Sequence, residues 1–210
     1  NSATPNAKRL RTVKGEQLAD IVFTSGTTGE PKGVMLTHGA IMSAVNHINQ
    51  FIGNTRSDCE LITLPFFHSF GLGRMRCVLA KGGSLVLVEG ICALKNIFYA
   101  LEHYHVTGIS MVPASIAIFL KLTKDKLSDF SGQINYMEIG SSAMSLDLKK
   151  RLCCLLPKTR LCMHYGLTEA SRSLFTQLRW GDLKGAGRPA ANVQVKFVND
   201  EGSRVATGSL

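Results

Sequence analysis

From Leu18 onward, short apolar runs rich in β-branched residues alternate with longer segments whose apolar positions recur at three- and four-residue spacing. The short runs predict strands at Asp20–Phe23, Val34–Thr37, Glu60–Leu64, Ser84–Val88, Thr107–Met111, Asn135–Ile139 and Arg160–Met163. The periodic segments predict helices at Ala40–Phe51, Gly71–Ala80, Ala93–His103, Ala114–Leu122 and Leu146–Leu155. Strand and helix in alternation argue for an α/β fold, a mostly parallel sheet flanked by helices. The Thr107–Met111 run leads into Pro113-Ala114-Ser115 and an apolar helix, with proline near the start, where its missing N–H leaves no bond unmade. Residues 1–17 are polar, contain Pro5 and the basic residues Lys8, Arg9, Arg11 and Lys14, and read as an arm or linker. Residues 18–171 carry the alternating core. Residues 172–210 begin a β-rich connection: GDLKGAGRPAAN is rich in glycine and proline, Val193–Val198 alternates as a strand, and Asn199–Gly202 is a turn.

The segment between the first two strands carries the chemistry. TSGTTGEPKG, from Thr24 to Gly33, holds four hydroxyl residues, three glycines, one proline and one lysine between apolar flanks. Gly26, Gly29 and Gly33 let backbone approach a ligand closely. The hydroxyls of Thr24, Ser25, Thr27 and Thr28 and the local N–H groups can donate to phosphate oxygens, and Lys32 adds a point charge. Each charge-assisted bond contributes about 1.5–3 kcal/mol, so a few hold a polyphosphate. The Walker loop has a different spacing: its lysine follows glycine and precedes Ser or Thr, whereas Lys32 follows Pro31 and precedes Gly33.

TSGTTGEPKG resembles the phosphate-binding signature of the AMP-forming adenylating enzymes: acyl- and aryl-CoA ligases, peptide-synthetase adenylation domains and luciferase. LPFFHSFG (Leu64–Gly71), GSSAMS (Gly140–Ser145) and HYGLTEAS (His164–Ser171) follow in that family's order. The resemblance runs from about Leu18 to the end of the chain. It implies that residues 18–171 are a nucleotide- and acyl-binding core. It further implies that the chain is the central slice of a larger enzyme's N-terminal domain, with sheet edges or apolar faces through which the isolated piece self-associates.

The reaction the resemblance implies has two steps. A carboxylate attacks the α-phosphate of Mg-ATP, giving acyl-AMP and pyrophosphate, and a thiol such as that of CoA then takes the acyl group. The expected cofactors are therefore ATP, Mg²⁺ and CoA. Thr24, Ser25, Gly26, Thr27, Thr28, Gly29 and Lys32 are expected to hold the β- and γ-phosphates. Thr168 would bond the α-phosphate, Glu169 would ligate Mg²⁺, Tyr165 would flank adenine and Gly166 would turn the chain beneath the nucleotide. Gly140, Ser141 and Ser142 would lie against adenine and wall the acyl pocket with Phe67, His68 and Gly71. Amino-acid-activating relatives carry Asp at the position of His68, so His68 among Phe66, Phe67 and Phe70 points to a fatty or aromatic acid. Serine at 141 departs from the family's usual Gly-Gly-Ala. Without the resemblance, Tyr165–Glu169 could open a helix with Thr168 as its cap, Ser145 could cap Leu146–Leu155, and His68 could be a packed core residue.

Composition adds limits. The 210 residues are 45% hydrophobic and 19% charged, the balance of an ordinary globular protein. The six cysteines show no C-x-x-C pairing, and reduced thiols in a cytoplasmic protein are expected. His103-x-His105 has no third ligand in view and reads as structural. No apolar run is long enough to span a bilayer. The formal charge of +9 suits attraction of ATP, pyrophosphate or CoA, and also a plain solvated basic surface. Basic residues scatter and no RNP-like or helix-turn-helix pattern occurs, so nucleic acid is not an expected partner. Two other classes stay open on the residues alone: a nucleotide-binding module without catalysis, and a basic nucleic-acid-binding or scaffold protein.

Overall fold

The computed structural model describes residues 12–25, 30–179 and 183–205. Two strands, β1 (Leu18–Thr24) and β2 (Lys32–Thr37), pair antiparallel with Thr24 opposite Lys32. Thr37 then caps α1 (His38–Ile52), its side chain accepting from the Ala40 N–H at 3.2 Å, and Gly53 ends that helix in the left-handed region at φ 72°. The remaining elements are β3 (Cys59–Ile62), α2 (Ser69–Ala80), β4 (Ser84–Leu87), α3 (Leu94–His103), β5 (Gly108–Met111), α4 (Pro113–Thr123), a 3₁₀ turn (Lys126–Phe130), β6 (Tyr136–Ile139), α5 (Leu146–Leu155), β7 (Arg160–Leu167), β8 (Ser171–Gln177) and β9 (Arg188–Pro189). Ser145 caps α5, accepting from Leu148 N–H at 3.3 Å, and Pro113 opens α4.

The main sheet has the order β4-β3-β5-β6-β7-β8-β9, parallel from β4 to β7 and antiparallel beyond. This is the α/β architecture of a mostly parallel sheet with covering helices. Its two faces differ in kind. On one, Leu61, Ile109, Met111, Met137, Ile139 and Leu161 pack with Ile97, Leu101, Ile116 and Phe119 into an apolar core. Each such buried side chain contributes about 1.5–3 kcal/mol. The alternate positions face the other way: Tyr136 and Cys162 meet Val45, Ile48, Ile52 and Cys77, and Glu60, Ser110 and Glu138 are fully buried.

Two expectations change. Val193–Val198 forms no strand: apart from a lone bridge between Val198 and Arg204 it has no ladder partner, and Val195 and Phe197 stay exposed. Alternation alone makes no sheet without a neighbour to pair. Ser171–Gln177 pairs with β7 and so extends the core sheet itself. The expected turn at Asn199–Gly202 is present, closed by the Gly202 N–H to Asn199 O bond at 2.9 Å. Among the described residues no helix is long and apolar enough to cross a membrane.

Candidate active site

The carboxyl ends of parallel strands are where open α/β sheets hold ligands, because loops there diverge and leave a crevice. Here that edge carries a cleft of about 750 Å³ lined by Thr24, Thr63, His68, Gly71, Ser141, Thr168 and Glu169, among others. A second hollow of about 360 Å³ adjoins it, lined by Ser142, Met144 and Tyr165 and sharing Ser141, His164 and Gly166 with the first. Residues from four separate sequence stretches therefore meet at one place.

Thr168 and Glu169 sit on the tight turn between β7 and β8. The register pairs Leu167 with Ser171 and Gly166 with Arg172, and the Ala170 N–H bonds Leu167 O at 3.2 Å. A Cβ at Gly166 would lie 1.8 Å from Ser171 O, so only glycine allows this turn. The strand runs on to Leu167, and the alternative of a helix beginning at Tyr165 is thereby corrected: the cross-strand bonds to β8 take up the backbone groups that a helix would use. Glu169 is exposed on the turn, while Tyr165 is 54% exposed at the second hollow.

Thr24 ends β1 at the cleft, and its Oγ1 donates to Lys32 O at 3.4 Å. Ser25 and Lys32 are exposed at the mouth of the hairpin. Gly26, Thr27, Thr28 and Gly29 lie outside the described residues.

His68 precedes α2 as its N-cap residue, exposed, with its ring 4.5 Å from that of Phe67. Phe67 is 74% exposed and does not line the cleft; Phe70, buried, does. Gly140 is buried beneath the cleft floor, where a Cβ would fall 2.1 Å from His164 Nε2, and Ser141 follows at φ 75°. His103 stacks on Tyr99 at 4.1 Å and its Nδ1 lies 2.9 Å from Tyr99 O, a structural role.

Sequence reasoning missed the buried polar network under the cleft. Arg74 on α2 is fully buried and clamps Glu60: its Nε donates to Glu60 Oε1 at 2.9 Å and its Nη2 bonds Glu60 Oε2. Glu60 also accepts from Ser110 Oγ at 2.6 Å and Tyr136 OH at 2.7 Å. Arg74 Nε lies 3.1 Å from Glu138 Oε2, and Glu138 Oε1 takes the Arg172 Nε–H at 3.0 Å and touches His164 Nδ1 at 2.7 Å. Arg172 completes its fork on Ser69 O at 3.4 Å and Phe70 O at 3.1 Å, with its Cζ 4.9 Å over the Phe70 ring. Two arginines thus face two glutamates away from water.

Burial by itself would raise the Glu138 carboxyl, but Arg172, Arg74 and His164 outweigh it and hold the group well below the usual carboxylate range. Burial lowers His164 below its ordinary 6.5 despite the neighbouring Glu138, which keeps the ring neutral at pH 7. Desolvation pushes the Cys77 and Cys162 thiols up to about 11 and about 12, so both are inert. The available signal was a carboxylate at an inward position of an otherwise apolar strand, in ELI and YMEI, with an arginine inside an apolar helix.

Among the described residues no group of three His, Cys, Asp or Glu side chains gathers to hold a metal. A lone exposed carboxylate such as Glu169 beside a hydroxyl fits a Mg²⁺ that takes its other ligands from phosphate and water.

A model of the AMP-binding enzyme family matches residues 1–210. The chain is 31% identical over 206 residues to polyketide synthase PksN of Bacillus subtilis (strain 168), which covers 94% of this chain and 4% of that protein. It is 33% identical over 187 residues to 4-coumarate–CoA ligase-like 9 of Arabidopsis thaliana, covering 86% of this chain and 33% of the ligase. In three dimensions it matches VinN with a TM-score of 0.82 at 22% identity, over 96% of this chain and 50% of VinN, a likeness of fold. It also matches the o-succinylbenzoate coenzyme A synthetase MenE from Bacillus subtilis, in complex with ATP and magnesium ion, with a TM-score of 0.79 at 26% identity, over 95% of this chain and 42% of MenE. The chain spans about a third of the length of the plant ligase and a small part of the synthase. With that family's model matching residues 1–210, the chain belongs to the AMP-binding enzyme family.

Proposed function

We propose that this chain forms the nucleotide- and acid-binding cleft of an AMP-forming acid–thiol ligase. The observation that carries the reading is the convergence of Thr24, His68, Ser141, Thr168 and Glu169 on one cleft at the carboxyl edge of the sheet. In the first step a carboxylate oxygen of the acid bonds to the α-phosphorus of ATP, the bond from that phosphorus to the bridging oxygen breaks, and pyrophosphate leaves with the electron pair. In the second a thiol sulfur bonds to the acyl carbon and AMP departs. Both partners of the first step are anions, so the protein's task is to neutralise charge, align the attack and exclude water.

The chain's residues divide that task by position. Lys32 and the hydroxyls from Thr24 to Thr28 bind the leaving phosphates. Thr168 donates to the α-phosphate oxygens, where negative charge builds. Glu169 would hold Mg²⁺, which when bound neutralises phosphate oxygens. Tyr165 and the Gly140–Ser142 backbone enclose the adenine in the second hollow. His68, at the mouth and free of a capping bond, orients the acid's carboxylate against the phosphate. Its imidazole offers no negative charge to an α-ammonium group, which favours an acid without one. CoA is the expected thiol.

Carboxylate-dependent exchange of pyrophosphate into ATP by the full-length enzyme tests the reading. Lys32→Ala and Glu169→Ala should each lower exchange by about 100-fold or more, the usual cost of removing one transition-state charge partner. Near-normal exchange in both variants would overturn it.

A further inference from the structure

The cleft has a floor, and one charged group is built into it. Phe70, His164 and Arg172 close it from below, all buried. On the far side of Arg172 lies a partly apolar hollow of about 290 Å³, lined by Ile41, Val45, Leu72 and Gly73 between α1 and α2 and also by His47 and Arg76. Ser69, Thr168, Glu169, Ser171 and Arg172 border both spaces. Arg172 is therefore a partition, bound to Glu138 and to the Ser69 and Phe70 carbonyls and packed so tightly that a Cβ on Gly73 would come within 2.4 Å of its Nη1.

We infer that Arg172 sets the length of the acid, restricting the cleft to compact acids, short aliphatic or single-ring, and barring long alkyl chains from the hollow behind it. The inference rests on the ligase reading above. A tail reaching the hollow must displace the guanidinium and leave Glu138 buried with only Arg74 and His164 beside it, and several methylenes would have to be buried merely to offset that loss. The cleft is also bordered by Gly90, which is exposed, so a tail laid there buries little.

The test uses the full-length enzyme with AMP and two non-hydrolysable acyl sulfamoyl adenosines, butyryl and dodecanoyl, in equilibrium titrations. The wild type should bind the butyryl compound at least tenfold more tightly than the dodecanoyl one. Arg172→Ala combined with Glu138→Gln, which opens the partition without leaving a lone buried charge, should shift that ratio at least tenfold toward the long chain. Dodecanoyl binding by the wild type as tight as butyryl binding would overturn the inference while sparing the ligase reading. So would an unchanged ratio in a double variant that circular dichroism shows to be folded. Should that variant not fold, the wild-type ratio decides alone. Failure of AMP and both analogues to bind would overturn the ligase reading, and the inference with it.

Discussion

Ser141 shows most plainly how one residue can pay for its place. It holds φ 75° at the join of the cleft and the second hollow, a conformation that costs a non-glycine residue about 1–2 kcal/mol. Glycine would relieve that cost but adds disorder to the unfolded chain, worth about 0.5–1 kcal/mol. Ser141→Gly should therefore stabilise the protein by up to about 1 kcal/mol in urea titrations; a loss of stability would mean that the serine hydroxyl holds something the backbone needs. Gly166 is the opposite case, since Ser171 O occupies the space of any side chain there. The hydroxyl-rich motif, His68 and the Thr-Glu pair were legible as residues because their chemistry is local. Phe67 is exposed and off the cleft lining because burial in a loop depends on how the following helix turns, and that helix buries Phe70.

At the scale of elements, the parallel strands and their helices were legible from periodicity, as were the Ser145 cap and the Pro113 start. The β7–β8 hairpin was not, because SRSLFTQ follows a turn whose Gly, Thr and Glu serve equally well to start a helix. The network spanning α2, β3, β6 and β8 was invisible for a different reason: its partners lie up to 103 residues apart. It nevertheless has a thermodynamic signature. Glu138 and His164 both bind protons more weakly folded than unfolded, so the unfolded chain takes up more protons as pH falls and stability drops. The part owed to His164 is fully present above 6.5 and is lost as pH falls below that value. The part owed to Glu138 is present above about 4.5 and is lost further into acid. Unfolding free energies measured from pH 8 to pH 4 should decline with the first segment, and His164→Gln should flatten it while sparing the second. Equal slopes in the two proteins would remove His164 from the network's electrostatics.

For the whole molecule, the sheet divides labour between its faces. The α3–α5 side is apolar and supplies stability; the α1–α2 side carries charge and supports the cleft floor. The β1–β2 hairpin stands outside the main sheet, with Ile21, Phe23 and Met35 exposed, yet it brings Thr24 to the same cleft as the β7–β8 turn. Whether these two hairpins grip one ligand is the central question. A double-mutant cycle on Mg-ATP binding by the full-length enzyme, with Lys32→Ala, Glu169→Ala and both together, answers it most directly. Two groups that contact one triphosphate and its cation should couple by at least about 0.5 kcal/mol. Strictly additive losses, or no loss from either change, would contradict a shared phosphate site.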